Sequence, residues 1–145
     1  MLHSAFGDND ADNTVTLIAS QINYGKEFFQ GEKLFEFAML NMKAGKKALD
    51  GCDHKTAYWY LLTALSLLPL DHWESHYDFS LRLHSLLADA ANSSCQYEEA
   101  QLILQTTLGK ARCLEDKLPS YLLQSQSEYS LSLLIFRRLY LSFSD

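Results

Sequence analysis

His72 and His76 stand one helical turn apart, a spacing at which two imidazoles can share a face and bind zinc. A closed structural zinc site needs four ligands and an open catalytic one three. Even with His84 eight residues further on, no third ligand is obvious. The flanking HWESH has no second His-Glu pair of the metalloprotease kind, so surface or packing roles are expected and tight zinc binding is not. The alternative is a small helical metal-binding or catalytic protein using His72, His76 and a carboxylate.

Other chemistry is harder to find. No Gly-x-x-x-x-Gly-Lys-Ser/Thr loop, Gly-x-Gly-x-x-Gly turn, His-Arg-Asp loop or Gly-x-Ser-x-Gly elbow occurs. GKEFFQGEK, at 25–33, has the wrong glycine spacing for a phosphate cradle and reads as a loop. The pairs Asp71/Glu74, Glu98/Glu99 and Glu115/Asp116 fall at expected helix starts, where a carboxylate stabilises the positive end of the helix dipole. An enzyme is therefore not expected, nor any cofactor or metal. Cys52, Cys95 and Cys113 are odd in number and form no C-x-x-C pair, which fits a reducing, cytoplasmic setting. Cys52 and Cys95 read as small packing residues between helices. The aromatic runs Tyr58-Trp59-Tyr60 and Trp73 to Phe79 read first as core, with Trp59 and Trp73 as outward anchors for a protein partner.

The elements that would position these residues are helical. Leu occurs 27 times against 5 for Val and Ile together, and two Pro and six Gly cannot punctuate many short strands. At 48% hydrophobic and 21% charged the 145-residue chain is too apolar for disorder, and no apolar run could span a bilayer. A net charge of −6 argues against nucleic acid as partner. Residues 1–13 read as a polar, disordered leader and 14–24 as a short first helix. A helix after Gly31 stops at Gly51, and Asp53 caps the next, about 55–68, which Pro69 ends. Asp71 and Glu74, spaced as a capping box, open a long helix to about Ala91. Further helices are expected over about 96–113 and, with Pro119 in its first turn, to about Gln126. The segment 130–145 is ambiguous between helix and strand.

Shifting the chain by 43 residues aligns Leu40 with Leu83, Ala44 with Leu87, Gly45 with Ala88, Cys52 with Cys95, Ala57 with Ala100 and Leu61 with Leu104. Each copy is a helical hairpin, about 31–69 and 71–113, and hairpins bury their faces by stacking. The expected fold is all-α, a short α-solenoid of antiparallel hairpins with about six helices over 14–129. Gly45, Ala57, Ala64 and Pro69 resemble the small-small-small-proline pattern of tetratricopeptide repeats, and Ala88 and Ala100 hold the first two positions of the second copy. The period exceeds the usual 34, and the extra length is assigned to the long helix after Asp71. HEAT-like packing is the other arrangement with such a period.

Residues 38–104 also resemble a helical segment of very large signalling proteins that combine a Ser/Thr-kinase-like domain, an AAA/STAND-type ATPase and often a histidine kinase. The features carrying it are Asn41-x-x-Ala44-Gly45-x-Lys47-Ala48, Ala57-x-x-Tyr60, Leu67-Leu68-Pro69-x-Asp71-x-Trp73-Glu74, Tyr77 and Tyr97-Glu98-Glu99-Ala100. In that family the segment follows the ATPase module, which implies a relay or docking scaffold without chemistry of its own. The expected partners are proteins, either neighbouring ATPase and kinase domains or peptides. The chain would be a fragment or truncated relative, prone to self-association through an uncovered end face.

Overall fold

A computed structural model describes residues 4–25 and 31–143. Among them the chain forms seven helices and no strand: α1 Ser4–Gly25, α2 Glu32–Asp50, α3 His54–Ser66, α4 His72–Ser75, α5 Tyr77–Ser93, α6 Tyr97–Lys110 and α7 Leu114–Phe143. Packing follows chain order, α1 on α2, α2 on α3, α3 on α5, α5 on α6 and α6 on α7, a solenoid-like succession. The central core joins Ala38 of α2, Ala57, Leu61 and Ala64 of α3, and Leu83 and Leu87 of α5. α3 is thus apolar on the sides that face α2 and α5, while Trp59 and Leu62 of the same helix stay exposed.

The two hairpin turns repeat each other bond for bond. α2 and α5 end at Asp50 and Ser93, and α3 and α6 begin at His54 and Tyr97, each pair 43 apart. At the first turn the Cys52 N–H donates to the Leu49 carbonyl and Asp53 N–H to Ala48; at the second, Cys95 N–H donates to Asn92 and Gln96 N–H to Ala91. These are the paired bonds of a Schellman C-cap. Its left-handed residue is cysteine both times, at φ 58° and 61°. Gly51, expected to be the stop, sits one residue earlier at φ −87°. Both cysteines are exposed, so they are turn residues and not packing residues. Asp53 does cap α3, accepting from Thr56 N–H at 3.2 Å, and hydrogen bonding by Thr56, through its side chain first and its backbone second, lowers the Asp53 carboxyl pKa.

Small residues are buried where the repeat needs close approach. Gly45, Ala57, Ala64, Ala88 and Ala100 all lie in the interior. A Cβ on Gly45 would come within 2.6 Å of Leu61 Cγ and 3.3 Å of the Ala57 carbonyl oxygen, so α2 and α3 meet where only glycine fits without adjustment. Pro69 lies three residues beyond the end of α3. α6 ends one position from the equivalent place without a proline, the chain turning extended at Ala111 (ψ 130°).

Three expectations need correction. α1 begins at Ser4, so residues 4–13 of the supposed leader have helical backbone; adding residues to an existing helix avoids the nucleation cost. The long helix after Asp71 is two, α4 and α5, broken at His76 (φ −136°, ψ 52°). The extra repeat length therefore sits in a ten-residue connector, 67–76, and the Asp71 side chain makes no capping bond. The segment 130–143 is helical and continuous with α7, which runs 30 residues, about 45 Å, with Pro119 at its sixth position. There the proline deprives the Glu115 carbonyl of its intrahelical donor. No helix among the described residues is long and apolar enough to cross a membrane. The glycine-rich lookalike at 25–33 lies largely outside the described residues.

Candidate functional site

The α2–α3 hairpin leaves a groove at the start of α2. Gly31 enters the helix at φ 65°, a left-handed turn natural to glycine, and its carbonyl accepts from Leu34 N–H at 3.0 Å. One turn on, Phe35 stacks on the His76 imidazole, ring centroids 3.9 Å apart, and meets Phe79 edge-on at 5.1 Å. Leu34, Met39, Leu67, Leu68 and Pro69 complete a mainly apolar hollow of about 580 Å³, with Glu32 and Glu36 at its rim. Apolar concavities with a few charged groups suit an inserted helix or peptide.

His72 and His76 do not act together. His76 faces Phe35, whereas the His72 ring lies 5.7 Å from that of His84 and its Nδ1 is 2.8 Å from Ser80 Oγ. Ser80 Oγ also lies within 2.9 Å of the His72 and His76 carbonyls, which only accept; its proton goes to one of them, and His72 Nδ1–H donates to the hydroxyl. Nucleophile activation requires the opposite polarity, a hydroxyl donating to imidazole. Ser80 is moreover wholly buried, so the contact is structural. His84 Nδ1–H donates to the Ser80 carbonyl at 2.8 Å. No group of three or more metal-ligating side chains occurs among the described residues.

His84 occupies the place of Asn41 under the 43-residue shift. Asn41 is wholly buried, donates to the Phe37 carbonyl four residues back at 2.9 Å, and exchanges bonds of 2.7 and 3.0 Å with Asn23 of α1. At these matched positions each hairpin thus buries a polar side chain that bonds the carbonyl four residues earlier and lies beside a polar side chain of the preceding element, Asn23 for Asn41 and the His72 ring for His84; Ser80 and Thr107 are further buried polar groups of the second hairpin. Sequence alignment of unlike residues could not show this. The available signal was the shift itself, which pairs Phe37 with Ser80 as well as Asn41 with His84.

Burial lowers the pKa of both His72 and His84. For His72, desolvation outweighs Glu74 and Asp71, which raise it, while Lys110 and His76 lower it further; for His84, desolvation outweighs the bond to Ser80. The native state then holds these rings neutral at a pH where the unfolded chain, near 6.5, begins to bind protons. Their contribution to stability is full above about pH 6.5 and declines as pH falls through that value toward the depressed native one. The urea midpoint is expected to fall between about pH 7 and pH 5.5, and His84→Leu to flatten that decline. An unchanged slope in the variant would remove His84 as the cause.

The two tryptophans part company. Trp59 is 49% exposed on α3, edge-on to Tyr60, and remains available to a partner. Trp73, expected as an outward anchor, is a correction: it is 7% exposed, packed 4.7 Å from the His84 ring and 6.0 Å from Tyr77. The break at His76 turns it inward. Tyr77 donates to Asp116 Oδ2 at 2.6 Å and accepts from Arg112 N–H at 2.8 Å, with the Arg112 guanidinium 3.9 Å over its ring. The Tyr77 bond lowers the Asp116 pKa, so this carboxylate ties α7 to α5 besides sitting in a first helical turn.

No family model, curated protein or solved structure matches the chain.

Proposed function

We propose that the chain is a non-catalytic, cytoplasmic scaffold for protein interaction and signal relay, a fragment or truncated relative of the tetratricopeptide-like segment beside the ATPase module of multi-domain kinase signalling proteins. The observation that carries this reading is the recurrence of one hairpin design at 43-residue spacing with an apolar groove left open on the first copy. Stacked hairpins present such surfaces to peptides and neighbouring domains. The groove and Trp59 are the contact points, and Gly45, Ala57, Ala64, Pro69, Ala88 and Ala100 are the frame that holds them. His72 and His76, the basis of a metal-site reading, are each engaged elsewhere.

A photo-reactive residue at Met39, which is exposed in the groove, tests this in cells. Crosslinking to a protein that carries an ATPase or kinase module, lost on Phe35→Ala, is the expected result. Stoichiometric zinc in the purified chain, released by His72→Ala with His76→Ala, would replace this reading with the metal-site one.

A further inference from the structure

α7 carries more apolar surface than its own fold uses. Its inner face meets α5 and α6, burying Ser120 and Ser127, whose hydroxyls have no hydrogen-bond partner. From 132 to 141 every residue is exposed. Four of these, Leu133, Leu134, Ile135 and Phe136, are consecutive and apolar, and Arg137 and Arg138 follow. An exposed run of that length is a folding liability unless something covers it.

We propose that this segment of α7 docks into the α2–α3 groove of a second copy, so that chains associate head to tail. The inference rests on reading the groove as a docking site and names its occupant. The two surfaces are complementary in kind. The groove offers Phe35, Met39 and Leu68 beside Glu32 and Glu36, one helical turn apart, and one side of the segment offers Leu133 and Leu134, each one helical turn before a guanidinium group, Arg137 and Arg138. None of these four charges has an ion-pair partner among the described residues. Within one copy the two surfaces belong to different ends of the succession, since α7 packs on α5 and α6 and the groove lies between α2 and α3. An amphipathic helix in an apolar groove is a recurrent docking mode, and opposite charges at its rim fix its register. Because donor and acceptor surfaces differ, the contact is heterologous and builds rings or open chains of copies.

Light scattering and sedimentation of the full chain over a concentration series test the proposal. Mass should rise with concentration. Arg137→Glu with Arg138→Glu should weaken association about tenfold or more, as should Glu32→Lys with Glu36→Lys, because like charges then face each other. All four substitutions in one chain should restore it. These residues are exposed, so the variants remain folded, which far-ultraviolet circular dichroism would verify. A monomer at every concentration overturns the proposal, and so does association indifferent to the charge reversals, which would point to α7 pairing with α7. If Met39 still crosslinks to an ATPase or kinase module while the chain stays monomeric, the scaffold reading stands and self-docking alone falls.

Discussion

Trp73→Ala is expected to destabilise the protein by about 3–5 kcal/mol, the usual cost of removing a buried tryptophan. Four-residue α4 is far too short to persist by itself, because a helix must first overcome an unfavourable nucleation step. Its anchors are the Trp73 ring, packed on His84 and Tyr77, and the His72 contact with Ser80. Removing the indole leaves a void between the connector and α5 and frees the neighbouring His84 ring. Trp59→Ala, on an exposed position, should shift stability by no more than about 0.5 kcal/mol. Urea unfolding of the two variants side by side decides the matter. Equal midpoints would return Trp73 to the surface.

The second large effect is a coupling. Leu61→Ala should cost about 2–5 kcal/mol, since the side chain is wholly buried at the meeting of α2, α3 and α5. Gly45→Ala brings a methyl to 2.6 Å from Leu61 Cγ, and the crowding should outweigh the gain of about 1 kcal/mol from replacing a mid-helix glycine. With Leu61 already alanine the clash with its side chain is gone, and the 3.3 Å approach to the Ala57 carbonyl oxygen that remains should cost less than the helix gain. Gly45→Ala therefore changes sign, from destabilising in the wild type to stabilising in the Leu61→Ala background. A double-mutant cycle measures this directly, and additivity would show that the two helices do not meet at Gly45.

The helices and the burial of Ala57 and Ala100 at equal phase were legible because each rests on a local or periodic signal: leucine in place of β-branched residues, and small residues recurring 43 positions apart. Trp73 was misread because its orientation follows from His76, whose backbone leaves the helical region as its ring stacks on Phe35, some forty residues earlier in the chain. No spacing rule encodes a contact of that range. The left-handed cysteines were missed for a different reason. Glycine is the usual occupant of that position, and Gly51 stood one residue away. The capping role of Asp53 needed only a three-residue interval and was read correctly.

The paired polar positions, Asn41 in one hairpin and His84 in the other, give the two halves different responses to acid. An amide does not titrate, so the bonds between Asn41 and Asn23 persist at any moderately acidic pH. The His84 imidazole sits where burial disfavours the protonated form, 5.7 Å from the half-buried ring of His72, whose pKa is lowered as well. Acidification should therefore open the molecule unevenly: amides of α4, α5 and α6 would begin to exchange with solvent hydrogen while those of α2 stay protected, making the second hairpin a separate cooperative unit.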